Sequence, residues 1–104
     1  DSWKSAIVHA KEPGTVFLNK FHSPALRALR TERTSRLERD PETNVMSEFG
    51  SALDLYYGGD MEAAIPLSGQ VAGRIESVKP VAEILAETQA EFFETVNSLA
   101  GNYL

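Results

Sequence analysis

The side chains with chemistry to offer in this 104-residue chain are two histidines, a serine set among glycines, a run of arginines and a pair of tyrosines. His9 falls at the rim of a helical face and His22 just before Ser23-Pro24. With no cysteine, no His-x-x-x-His pair and no carboxylate cluster at ligand spacing, no metal site is expected. The absence of cysteine also removes disulfides and thiolate nucleophiles, and it suits a reducing compartment, so a cytoplasmic location is expected. Ser68 lies in Ser-Gly-Gln, without the Gly-x-Ser-x-Gly context of a nucleophile elbow and with no base nearby. No catalytic residue is therefore assigned.

Arg27, Arg30, Arg33, Arg36 and Arg39 recur every third residue. Residues 20–39 hold six basic and two acidic side chains, a basic island in a chain whose formal charge is −5. On an α-helix such a spacing drifts by about 60° per step, so these guanidinium groups cannot all face one ligand. Phosphate contact is one reading, and pairing with the chain's own acidic surface is the other. No aromatic residue is interleaved after Phe21 to stack bases, and the overall charge is negative, so neither nucleic acid nor an anionic membrane is expected as partner. A non-enzymatic helical interaction module that uses the arginine-rich helix is the alternative function class. In Leu67-Ser68-Gly69-Gln70-Val71-Ala72-Gly73, the two glycines and Ala72 leave one face bare. That bareness suits either tight backbone packing with a Ser68 cap or the approach of a flat ligand.

These residues need elements to position them. Trp3, Ala6, Ile7 and Ala10 share one face of a helix over 2–11, stopped by Glu12-Pro13-Gly14. Thr15-Val16-Phe17-Leu18 is the single strand, which must pair outside itself. Ser23-Pro24 starts a helix running to Arg39, and Asp40-Pro41 starts another carrying Met46, Phe49, Leu53 and Tyr56, closed by Gly58-Gly59. A connection from Asp60 to Pro66 leads to a short apolar helix, Val71 to Ile75. Ser77-Val78-Lys79-Pro80 begins the last helix, whose inward set is Val81, Ile84, Leu85, Thr88, Phe92, Val96 and Leu99. The expected fold is mostly α with one short β-strand, and no apolar run approaches the ~20 residues that cross a bilayer.

Two patches carry a family likeness. Trp3-Lys4-Ser5-Ala6-Ile7-Val8 through Ser23-Pro24-Ala25-Leu26-Arg27-Ala28-Leu29-Arg30 is the first, and Gly59-Asp60-Met61-Glu62 with Ser68-Gly69-Gln70-Val71-Ala72-Gly73-Arg74-Ile75 the second. Together they resemble the C-terminal region of the nitronate monooxygenases (2-nitropropane dioxygenases) and of the related enoyl-acyl-carrier-protein reductase II flavoenzymes. The resemblance implies a TIM barrel that holds FMN, with this chain as its small helical C-terminal domain. A barrel takes about 250 residues, so the barrel itself is absent from this chain. Residues 1–75 would form the small, substrate-side domain, and 76–104 the amphipathic helix returning to the barrel. The family's flavin-phosphate loops and catalytic histidine belong to the barrel, and neither His9 nor His22 matches that histidine.

What carries over is Ser68, Gly69 and Gln70 toward the flavin, with Tyr56 and Tyr57 lining the substrate cleft. The implied function is an FMN-dependent oxidoreductase acting on a small molecule, a nitronate or an enoyl thioester, with the chain's own N-terminal barrel domain as its partner and the chain alone inert. Residues 31–58 depart from the family pattern, which usually has a short connection there. The opening Asp1-Ser2-Trp3, without Met, reads as a piece of something longer, and exposed apolar stripes would allow a homo-oligomer.

Overall fold

The computed structural model describes residues 2–104, and its elements follow from a few side-chain decisions. The first is at Trp3 and Ala6, whose half-buried face forms helix α1 (Ser2–His9). Pro13 and Gly14 end it as expected, and strand β1 (Thr15–Leu18) follows, burying Val16 and Leu18 while Phe17 points outward.

The expected single strand is corrected here, because β1 has a partner within the chain. Residues 26–29, expected inside a helix, form strand β2 (Leu26–Leu29), antiparallel to β1 with Val16 opposite Ala28 and Phe17 opposite Arg27. The reversal begins at Asn19, which adopts the left-handed conformation (φ 62°) that Asn tolerates better than most residues. Its buried side chain ties the turn down: Nδ2 donates to the Pro24 carbonyl (2.7 Å) and Oδ1 accepts from the Val45 amide (3.1 Å).

Helix α2 (Glu32–Arg39) is the C-terminal half of the helix expected from Pro24. Thr31 and Thr34 cap it reciprocally, the Thr34 amide donating to Thr31 Oγ1 (3.2 Å) and the Thr31 amide to Thr34 Oγ1 (2.8 Å). The helix expected from Pro41 is also corrected. It is divided into a 3₁₀ turn (Val45–Glu48) and a five-residue helix α3 (Ala52–Tyr56), with Gly50 between them at φ 85°. Gly50 bridges to Ala64 in antiparallel fashion, and a Cβ there would run into the Ala63 carbonyl, so glycine is needed on both counts.

The core lies between the hairpin, α2 and the segment from Ala64 to Leu67. Val16, Leu18, Ala28, Leu37, Val45 and Ile65 fill it, with Leu26, Phe49 and Leu67 against them. Leu67 bridges to Ala28, with the Leu29 amide donating to the Pro66 carbonyl (2.9 Å) and the Ser68 amide to the Arg27 carbonyl (3.0 Å). This segment thus acts as a third row beside β2.

Helix α4 (Val81–Tyr103) starts directly after Pro80, inside the expected span 76–104, but does not have the expected packing. No residue of it is buried, and its expected inward set is open to solvent, with Leu85 66% and Phe92 60% exposed. At its start Lys79 Nζ donates to both carboxylate oxygens of Glu87 (2.8 and 2.7 Å), and this bond raises the Lys79 pKa above its ordinary value. None of the described helices is long and apolar enough to cross a membrane.

Candidate functional site

Ser68, Gly69 and Gln70 emerge where the buried segment Ala64-Ile65-Pro66 leaves the core. Pairing of the Ser68 amide with Arg27 fixes the point of exit. Gly69 then caps a 3₁₀ turn (Gln70–Arg74) in place of the expected α-helical start at Val71, and its amide-bearing end has no side-chain cap. The two glycines of the stretch serve different ends. At Gly73 an added Cβ would lie 3.2 Å from the Lys11 carbonyl carbon and the Glu12 nitrogen, so the missing side chain lets this turn pack on the end of α1. At Gly69 a Cβ would meet just Val71 Cγ1 at 3.8 Å, leaving its surface open.

Gln70 reaches a cavity of about 730 Å³ between this turn and the Lys11–Thr15 loop. Lys11, Arg27 and Arg74 line the same cavity, together with Glu12 and Thr15. Arg27 is oriented by two neighbours on β1: Nη1 donates to Thr15 Oγ1 (3.0 Å), and the guanidinium carbon lies 5.6 Å from the Phe17 ring centroid.

Tyr56 and Tyr57 end α3 beside a different hollow, about 390 Å³, which they line with Ser2, Gly58 and Gly59. Tyr56 is anchored edge-on to Trp3, with ring centroids 5.0 Å apart, whereas Tyr57 is 88% exposed. The chain therefore sets the tyrosines and Gln70 on separate concavities.

Both histidines hold backbone. His22 Nε2 donates to the Glu42 carbonyl (2.8 Å), fastening the β1–β2 connection to the loop after α2. His9 Nδ1 donates to the Ser5 carbonyl one turn back (2.7 Å). Among the described residues there is no group of three potential metal ligands.

The arginines are divided among elements, which corrects the expectation of one arginine-rich helix. Arg27 is on β2, Arg30 follows it, and Arg33, Arg36 and Arg39 are on α2. Arg30 binds Glu38 (2.8 Å) and the Pro13 carbonyl (3.2 Å), and Arg36 reaches Glu48 (3.3 Å). Arg33 donates from Nε and Nη2 to the Glu48 carbonyl (3.3 and 3.0 Å) and from Nη1 to the Glu62 carbonyl (3.1 Å). Pairing within the chain accounts for these three.

Glu62, which in the sequence stands out solely as part of the family-like Gly59-Asp60-Met61-Glu62 patch, has a structural task. Its carboxylate accepts from the Glu32 amide (2.9 Å) and the Arg33 amide (2.8 Å), two free donors at the positive end of α2. Asp60 Oδ1 accepts from the Glu62 amide (2.9 Å) and so sets the approach. Gly-Asp-Met-Glu is therefore a helix cap delivered from a distant loop. Neither the family likeness of this stretch nor its pair of carboxylates after Gly58-Gly59 reveals a partner thirty residues away.

No protein-family model and no curated protein matches the chain. Solved structures do. FabK from Thermotoga maritima is 32% identical and superposes with a TM-score of 0.83 over 97% of this chain and 34% of that one. The M276A mutant of the same FabK is 31% identical, with a TM-score of 0.77 over 97% of this chain and 31% of that one. The chain thus spans about a third of FabK, an enoyl-acyl-carrier-protein reductase II of the nitronate monooxygenase flavoenzyme family, and the likeness supports that family.

Proposed function

We propose that this chain is the small domain of an FMN-dependent oxidoreductase, and that it covers the substrate side of an active site whose barrel lies elsewhere in the same cytoplasmic polypeptide. The observation that carries the reading is the superposition on FabK across almost the whole chain at 32% identity. In this reading Ser68, Gly69 and Gln70 face the flavin. Their surroundings fit such a role: Gly69 is open to a close approach, and the Gln70 carboxamide and Ser68 hydroxyl are polar groups at a surface rather than in the core. FMN, when bound, supplies the hydride chemistry. The share of this chain is to orient substrate and restrict water.

Tyr56 and Tyr57 would border the substrate, a nitronate or an enoyl thioester. The two chemistries differ in where the flavin's electrons go, to oxygen in the first case and to a carbon–carbon double bond in the second. The apolar face of α4 would lie on the barrel.

The test is the intact mass and visible spectrum of the source polypeptide, followed by turnover with each substrate class. A species near three times 11.4 kDa with a flavin spectrum is expected. Replacing Ser68 and Gln70 by Ala in that species should lower kcat/KM by about tenfold or more while flavin content is retained. A colourless 11.4 kDa protein would overturn the reading.

A further inference from the structure

The cavity beside Gln70 differs from the surrounding surface in its charge. Among the described residues Arg30, Arg36 and Lys79 each hold a carboxylate. Lys11, Arg27 and Arg74 line one cavity and form no ion pair among the described residues. The bonds that orient Arg27 go to a neutral hydroxyl and an aromatic face, so they fix its direction without neutralising it. Glu12 is the one carboxylate in the lining, which leaves three cations against one anion in a protein of formal charge −5.

Charge of one sign gathered in a concavity focuses the field on an oppositely charged ligand. The volume, about 730 Å³, lies within the range of small-molecule sites and far exceeds a bare ion. Guanidinium groups match phosphate oxygens two at a time, and the Thr15 hydroxyl and Gln70 carboxamide add neutral hydrogen-bonding groups to the same lining.

We propose that this cavity binds the phosphate group of a small organic ligand, with Lys11, Arg27 and Arg74 supplying the charge. The binding claim stands on the cavity alone, whereas its place in catalysis rests on the proposed flavoenzyme reading. There the phosphate would belong either to a nicotinamide nucleotide reductant or to the phosphopantetheine arm that bears a thioester.

The experiment follows amide shifts of Thr15, Gln70, Val71 and Gly73 in the ¹⁵N-labelled chain at constant ionic strength. Paired probes are titrated: NADPH against dihydronicotinamide riboside, coenzyme A against pantetheine, and FMN against riboflavin. A saturable shift at these amides, tighter by about tenfold for the phosphate-bearing member of the first or second pair, is expected. Which pair responds assigns the source. The double variant Lys11→Gln/Arg74→Gln changes two exposed side chains, so circular dichroism should be unaltered while affinity falls by about tenfold or more. Shifts that chloride reproduces, unaltered affinity in the variant, or equal affinity for the two members of every pair would overturn the proposal. The titration needs neither flavin nor barrel, so a colourless source protein with an intact phosphate response would remove the flavoenzyme reading and leave the site standing.

Discussion

Thr34 is fully buried and its hydroxyl is used twice, accepting from the Thr31 amide (2.8 Å) and donating to the Leu29 carbonyl (2.9 Å). Thr34→Val keeps the shape and leaves both backbone groups unpartnered in the interior. A loss of about 1–3 kcal/mol is expected in urea unfolding, with the slope unchanged and Thr34→Ser recovering most of it. Glu62 makes a parallel case from outside the helix it serves. Glu62→Ala frees the Glu32 and Arg33 amides and should cost about 1 kcal/mol, whereas Glu62→Gln keeps one acceptor and should cost less. Charge reversal separates the arginines in the same way. Arg33→Glu would set a carboxylate against the Glu48 and Glu62 carbonyls and lower the unfolding midpoint. Arg39→Glu, on an exposed residue at the end of α2, should stay within about 0.5 kcal/mol of the parent. Were Arg33 a surface contact for a partner, the two substitutions would unfold alike.

At the scale of elements, what could be read in the sequence was what local chemistry decides. Pro13-Gly14 ended α1, the β-branched and aromatic run made β1, and Pro80 opened α4 within one residue of its observed start. What could not be read was set by distant partners. Leu26-Arg27-Ala28-Leu29 is composed of good helix formers, yet it is a strand because β1 lies on one side and Pro66-Leu67-Ser68 on the other. The Met46, Phe49, Leu53 and Tyr56 spacing was helical, but Gly50 turns to positive φ to meet Ala64 and breaks the stripe. The candidate site was half legible for the same reason. Gly69 and Gly73 were visible as a pair, while the loop that packs on one and leaves the other open was not. Gly73→Val should therefore prise the Gln70–Arg74 turn from the end of α1 and cost about 1–3 kcal/mol, whereas Gly69→Ala should be close to neutral. Equal losses at the two positions, read from thermal unfolding, would place the close contact elsewhere.

At the scale of the molecule, the radius of gyration is 17.5 Å, well above the ~13 Å of a compact chain of this size. The excess comes from α4, which carries Ile84, Leu85, Phe92, Val96 and Leu99 in the open. Helix nucleation is costly, and most helical stability in proteins comes from packing an apolar face, which α4 does not do here. Residues 2–80 hold the buried core without help from α4. Truncation after Pro80 should therefore leave the unfolding free energy of the core within about 0.5 kcal/mol of the parent. The intact chain should melt in two stages, α4 losing its circular dichroism signal gradually and at lower temperature, the core cooperatively. Phe92→Glu with Leu99→Glu should leave the core transition where it was. A single transition that moves with either change would mean that α4 folds back on residues 2–80 in solution. Two independent stages would mean that its apolar face is built for a surface this chain does not contain.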